Sequence, residues 1–219
     1  SSIARASKAA SGPIRTATFL VERPDALKGP QTFEVTTDFE TGVSRVVIER
    51  TDALVQITRS CICGSDLHPY RSLPATPAGQ SMGHELIGVV TEVGEDATTV
   101  KTGDFVIAPF AISCGTCEFC RVGLQTSCVN GGFWNDAHLG TAGGQAEAAR
   151  VPLADGTLVK VPGIDPTTAD EGLLASLLTL SDVYGTGWHA AFRAGVITCD
   201  TVAVIGDGAV GLLAVLSAK

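Results

Sequence analysis

Four cysteines fall within residues 114–128: Cys114, Cys117, Cys120 and Cys128, in the pattern C-x2-C-x2-C-x7-C. Thiolates this close in sequence suit a tetrahedral Zn²⁺ with Zn–S distances of about 2.3 Å. Gly115 and Gly123 let the short loop wrap around the ion. Four cysteine ligands leave no open position, so such a site is structural rather than catalytic. Iron–sulfur ligation and disulfides compete with this reading. The flanking proline of the bacterial ferredoxin run is missing. The chain has 7 cysteines, an odd number that forbids full pairing within one chain. Without a secretory h-region, such clusters mean metal or catalysis more often than bridges.

Composition removes several function classes. The 219 residues are 45% hydrophobic and 17% charged, with a mean hydropathy of +0.28, so a buried core is expected and disorder is not. The net charge of −8 and pI near 4.9 make a phosphate backbone a poor partner, so no nucleic acid is expected. The longest apolar stretches, such as Ala209–Leu216, fall short of the ~20 residues of a membrane span. Ser1–Val21 is basic, acid-free and rich in Ser and Ala. It reads as a processed arm leading into a strand at Thr16–Val21, with the remnant of a transit peptide as the alternative.

Along the chain, β-branched runs bounded by turn residues predict strands at Thr18–Val21, Ser44–Ile48, Leu54–Arg59, Ile87–Val93 and Phe105–Ala108. Val151–Val161 predicts a hairpin around Asp155-Gly156. Val129–Gly144 is a glycine-rich irregular stretch. After Pro162 the pattern changes. Asp165-Pro166 predicts a helix start, Ala169–Leu180 has helical spacing, and a second helix is expected over Thr186–Ala194. Thr201–Ile205 reads as a buried strand, followed by Gly206-Asp207-Gly208-Ala209-Val210-Gly211 and a helix over Ala209–Lys219. The order gives an arm (1–15), a β-rich zinc domain (16–180), and a helical joint with the first βα of a further domain (181–219). A single βα cannot bury both faces, so the chain is expected to be the front part of a longer protein, as a fragment or an incomplete record.

The glycines after the strand form G-x-G-x-x-G in its dinucleotide-binding context. Gly206 makes the turn, Gly208 lets backbone approach a pyrophosphate, and Gly211 packs helix on strand, with Val210 in the same turn. The residue that selects NAD or NADP lies ~20 positions further on, past residue 219.

A second, scattered donor set is Cys63 in Cys63-Gly64-Ser65-Asp66-Leu67-His68, then His84 and Glu85 after Gly83, and Asp182 in Ser181–Gly187. Three mixed protein ligands with one free position are the catalytic zinc pattern. Taken singly, Cys63 is as readily a core thiol and His84 a satisfied core histidine.

The joint order of these segments, with Gly88, Val93-Gly94 and Gly103-Asp104-Phe105-Val106, resembles the zinc-dependent medium-chain alcohol dehydrogenase family from about residue 16 onward. Residues 109–134 are most similar to its bacterial members. The resemblance implies an α/β fold: a GroES-like, partly barrelled catalytic domain followed by the start of a Rossmann domain. It implies catalytic zinc on Cys63, His84 and Asp182, with Glu85 just behind, and Asp182 standing where other branches place a second Cys. It implies a proton relay through Ser65 and His68, with turn-capping and surface roles as their plain alternatives. Asp66 would accept from the outer ring nitrogen of His84 and fix its tautomer. Thr186 would lie near the nicotinamide, with helix capping as its alternative.

Phe133 and Trp134 line a substrate pocket or pack over the zinc lobe. Cys61, Cys199, His138 and His189 match no ligand position. The implied reaction interconverts an alcohol with an aldehyde or ketone, using NAD or NADP, in a cytoplasmic homodimer or homotetramer. The rivals are a non-catalytic zinc-binding fragment and a zinc-free reductase. The combination of Cys63, His84 and Asp182 speaks against the second.

Overall fold

The computed structural model describes residues 15–21, 31–37, 44–46, 49–72, 81–136 and 139–219. Residues 1–14 of the expected arm (1–15), the end of the predicted Ser44–Ile48 strand and His138 lie outside them, and Arg15 begins the first strand. The chain divides into two compact units, residues 1–47 and 48–219.

In the first unit, strands β1 (Arg15–Val21), β2 (Gln31–Thr37) and β3 (Ser44–Val46) form an antiparallel sheet in that order. Phe19 stands opposite Phe33, and Val35 opposite Val46.

The second unit opens with β4 (Ala53–Ser60), a 3-10 turn at Gly64–Asp66 and the short α1 (Leu67–Ser72). Then come β5 (Leu86–Val93), β6 (Phe105–Ala108), β7 (Ala111–Ile112), α2 (Glu118–Arg121) and β8 (Gly132–Phe133). It continues with β9 (Ala148–Val151), α3 (Ala154–Thr157), β10 (Val159–Lys160), α4 (Glu171–Thr179), α5 (Val183–Arg193) and α6 (Ala209–Ala218). Five strands make an antiparallel sheet in the order β10-β6-β5-β4-β9, and β7 pairs with β8.

The period-two alternation of β5 and β6 explains two cores on one sheet. Leu86, Val90, Val106 and Ala108 point to one face, where they meet Val55 and Val151. Ile87, Phe105 and Ile107 point to the other, where Leu174 and Leu178 of α4 cover them. Covered on both sides, β6 is buried along its whole length, which is why its sequence is an unbroken apolar run. A buried ion pair ties β9 to the turn before β4. Arg150 Nε donates to Asp52 Oδ2 at 2.6 Å, and the backbone N–H of Leu153 donates to Asp52 Oδ1 at 3.3 Å.

Four local expectations change. Residues 151–161 are not a hairpin, because β9 pairs with β4 and β10 with β6, at opposite edges of the sheet. Between them lies α3, entered through Leu153 at φ 53°. Asp155 accepts from the backbone of Thr98 and Thr99 rather than closing a two-residue turn. Gly156 is needed for close approach, since a Cβ there would lie 2.3 Å from the carbonyl carbon of Cys114. Asp165 caps only a local turn, and Asp170 is the N-cap of α4, accepting from Leu173 N at 3.0 Å. The next helix starts at Val183 with Asp182 at its N-cap, so Thr186 lies inside it and does not cap it. Residues 201–205 pair with no strand among the described residues, although the turn and helix that follow them form as expected.

Candidate active site and metal centres

The loop holding the four cysteines runs from the end of β7 through α2. Its sulfurs lie 3.5 Å apart for Cys114–Cys128 and Cys117–Cys120, and 3.9 Å apart for Cys117–Cys128. A tetrahedron with Zn–S bonds of about 2.3 Å has edges of about 3.8 Å, so the spacing fits a zinc ion. Donors aim at the same sulfurs. Cys114 Sγ accepts from Cys117 N at 3.3 Å, and from Thr116 Oγ1 and Asn130 Nδ2 at 3.5 Å each. Burial works against ionising Cys114, but these donors outweigh it and bring its pKa down to about 5. Backbone N–H groups of Cys120 and Val129 lower Cys117. Burial, with the neighbouring Cys117 and Cys128, pushes Cys120 up to about 12. Four crowded thiols resist ionising together, and a dication removes that conflict. All seven cysteines are unbridged.

The scattered set converges. Cys63 follows β4, His84 and Glu85 lead into β5, and Asp182 heads α5. One donor atom from each lies within 4.8 Å of the other three. His84 Nε2 is 3.2 Å from Asp182 Oδ2, and Cys63 Sγ is 3.8 Å from the same oxygen. Asp66 is buried beneath them. Its Oδ1 lies 3.2 Å from His84 Nδ1, and its Oδ2 accepts from Cys63 N at 2.9 Å and Gln145 Nε2 at 3.2 Å. His84 thus lies between two carboxylates. The bond to Asp182 raises its pKa to about 9, against a downward push from burial. The same bond holds Asp182 below its usual value.

Glu85 is 2% exposed, and its Oε2 has no hydrogen-bond partner. A buried, unpartnered carboxylate oxygen is costly. Glu85 belongs to the cluster with a thiol, an imidazole and a second carboxylate, the donor types zinc takes. The donor set fits a divalent ion. Burial pushes the Glu85 pKa up, and it pushes neighbouring Cys61 up to about 12.

A cavity of about 340 Å³ opens on this cluster, lined by Ser65, His84, Phe110, Phe133, Trp134, Asp182 and Thr186. Ser65 Oγ is 3.5 Å from His84 Nε2. Phe110 and Phe133 stack at 6.0 Å, and Trp134 is fixed by its Nε1–H to Pro109 O at 3.0 Å. Phe133 and Trp134 therefore face the pocket. Thr186 Oγ1 donates to Asp182 Oδ1 at 2.9 Å. His68 is exposed on α1, does not line the cavity and makes no hydrogen bond with Ser65. His189 is exposed on α5, and Cys199 is exposed at φ 75°. Phe110 and Gln145 carry no local sequence signal. Phe110 arrives through a backbone bond from its N–H to Ser181 O at 2.9 Å, which no spacing reveals.

The glycine turn has the shape a dinucleotide needs. Gly206 has φ 116°, and a Cβ on Gly211 would lie 2.0 Å from Gly206 O, so only glycine fits there. Gly208, at the N-cap of α6, has open space where a side chain would stand. Val210 sits in the first turn of α6. Backbone can thus come close to a pyrophosphate at a helix N-terminus.

Residues 49–163 match the model of the alcohol dehydrogenase GroES-like domain. Over 174 residues the chain is 38% identical to zinc-type alcohol dehydrogenase B of Aspergillus flavus, covering 76% of this chain and 38% of that protein. Over 173 residues it is 39% identical to a glutathione-independent formaldehyde dehydrogenase of Bacillus subtilis, covering 76% and 42%. The solved structure of the alcohol dehydrogenase TADH from Thermus sp. ATN1 superposes with a TM-score of 0.65 at 36% identity, covering 78% of this chain and 49% of that one. The chain thus spans roughly half the length of the proteins it matches, or less. No helix among the described residues is long and apolar enough to cross a membrane. The GroES-like match alone takes in more than half of the 219 residues, and the chain belongs to the zinc-dependent medium-chain alcohol dehydrogenase family.

Proposed function

We propose that this chain carries the zinc-binding, substrate-facing part of a dehydrogenase that interconverts an alcohol with an aldehyde or ketone using NAD or NADP. The observation that carries the reading is the donor cluster of Cys63, His84, Glu85 and Asp182 beside an open cavity. In this reading residues 16–180 supply the zinc domain, and 181–219 the joint and the first βα of the cofactor domain. The whole protein works as a cytoplasmic dimer or tetramer, where its thiols stay reduced.

Cys63 Sγ, His84 Nε2 and Asp182 Oδ2 would hold the reactive zinc, and the four cysteines a structural one. Zinc held there supplies Lewis acidity, which lowers the pKa of an alcohol. Asp66 keeps His84 Nδ1 protonated, so that Nε2 presents its lone pair. Ser65 Oγ, on the cavity wall, takes the proton leaving the substrate hydroxyl. His68, exposed three residues on, receives it through solvent. Phe110, Phe133 and Trp134, which also line the cavity, help to exclude water from it. The turn Gly206–Gly211 and the N-terminus of α6 receive the pyrophosphate of the nicotinamide cofactor, the hydride carrier.

Elemental analysis of this chain and of Cys63→Ala tests the proposal. Two zincs falling to one supports it. One zinc in both proteins leaves only the four-cysteine site, and a structural zinc-binding role takes its place.

A further inference from the structure

Thr186 lines the cavity and also bonds to a residue of the donor cluster. It sits one turn into α5, four residues after Asp182, and touches that residue twice. Its backbone N–H donates to Asp182 O at 2.9 Å, and its hydroxyl donates to Asp182 Oδ1 at 2.9 Å. The carboxylate is thereby split by function. Oδ1 is engaged by the helix, while Oδ2 alone faces His84 Nε2 and Cys63 Sγ. Among the described residues no other side chain is bonded to Oδ1. Asp182 itself sits at φ −151° and ψ −72° at the N-cap of α5, and its side chain makes no capping bond to the backbone of that helix.

We infer that Thr186 is a positioning residue for the metal site, holding Asp182 as a one-oxygen ligand through its hydrogen bond to Oδ1. This rests on the proposed open zinc site. A carboxylate free to turn offers both oxygens to a cation, and a zinc ion so bound gains a ligand and loses its four-coordinate geometry. Asp182 takes the place held by a second Cys in other branches, and a thiolate has only one donor atom. The hydroxyl on the next turn gives the carboxylate the same single-donor behaviour. Outer partners of this kind typically account for 10- to 100-fold in metal affinity.

The test compares wild type, Thr186→Val and Thr186→Ser, each loaded with zinc and titrated with a competing chelator. The four-cysteine zinc in each molecule serves as the internal standard for folding. Thr186→Val keeps the shape and loses the donor, and Thr186→Ser keeps the donor. We expect the second zinc to be released roughly 10- to 100-fold more readily from the Val variant. The Ser variant should behave as wild type, with the four-cysteine zinc unchanged in all three. Cobalt placed in the second site gives an independent readout. The strong visible absorption of four-coordinate cobalt should weaken in Val and persist in Ser. A Val variant with wild-type affinity and an unchanged cobalt spectrum overturns the inference while leaving the open site intact. A wild-type chain that binds only one zinc overturns both.

Discussion

Replacing Asp66 by asparagine tests how the site controls the imidazole. Each Asp66 oxygen has a distinct task. Oδ1 faces His84 Nδ1 at 3.2 Å, and Oδ2 accepts from Cys63 N at 2.9 Å and Gln145 Nε2 at 3.2 Å. All three partners are donors in the arrangement that leaves His84 Nε2 free to bind a metal. Asparagine offers one oxygen and one NH₂. If its oxygen replaces Oδ2, the NH₂ faces His84 Nδ1 and forces that nitrogen to accept. The proton then moves to Nε2, the atom meant for the metal. If its NH₂ replaces Oδ2, it opposes the N–H of Cys63, whose side chain is itself a proposed ligand. Turning the Gln145 amide would relieve one opposed donor but give up its 3.4 Å bond to Cys61 O.

Neither orientation restores the wild-type arrangement, so the loss should reach the upper part of the 10- to 100-fold range for such partners, about 2 kcal/mol or more. Asp66→Ala leaves Nδ1 free to bond with water and forces no tautomer. The prediction is therefore an ordering: asparagine, despite its closer shape, binds the second zinc no better than alanine. Chelator competition measures this, with the four-cysteine zinc as reference. Nitrogen NMR of the His84 ring should show the proton on Nδ1 in zinc-loaded wild type, and on Nε2 in the metal-free asparagine variant at a pH high enough for the ring to be neutral. Asparagine affinity within twofold of wild type, with alanine far weaker, would refute the tautomer argument. The carboxylate would then act as a shape and a hydrogen-bond acceptor alone.

Three further expectations concern the scaffold. Arg150→Met leaves Asp52, 1% exposed, without its guanidinium, which should cost about 3–5 kcal/mol in urea unfolding; pairing it with Asp52→Asn should recover part of the loss. Gly156→Ala puts a Cβ 2.3–2.4 Å from the backbone of Cys114 and Gly115, so it should destabilise by about 1–3 kcal/mol and weaken the four-cysteine zinc while sparing the other; unchanged zinc retention there would count against the packing argument. Burial alone would raise the Asp155 pKa, but bonds from Thr98 and Thr99 lower it overall. A depressed carboxylate gives stability that is present above its unfolded value of about 3.9 and lost as pH falls through the folded value. Asp155→Asn should therefore be less stable than wild type at neutral pH, and the two should converge in strong acid.

Legibility in the sequence followed contact range. The four-cysteine site was readable because its ligands lie within 15 residues and its geometry is nearly local. The strands β5 and β6 were readable because a sheet covered on both faces must write an apolar run. Asp155-Gly156 misled because the pair serves two purposes in sequence statistics. A glycine that makes a tight turn and one that admits a neighbouring backbone look alike, and here the neighbour is Cys114, more than 40 residues away. The partner strands of 151–161 are likewise chosen by β4 and β6, which no local pattern specifies.

The open site marks the limit of spacing arguments more sharply. Cys63 and Asp182 are 119 residues apart in the chain, yet their donor atoms lie 3.8 Å apart. Singly, each has a plain structural explanation, and only the order of many segments tied them together. What that order could not supply was the bonding direction. It placed Thr186 beside a cofactor and left open where its hydroxyl bonds, which the helix beginning at Val183 turns onto Asp182 while the residue lines the cavity. Starting that helix three residues earlier than expected puts Thr186 inside it, one turn past Asp182, a proposed ligand. A helix boundary, the least securely read feature of any sequence, thus decides which oxygen of Asp182 the helix engages and which faces His84 and Cys63.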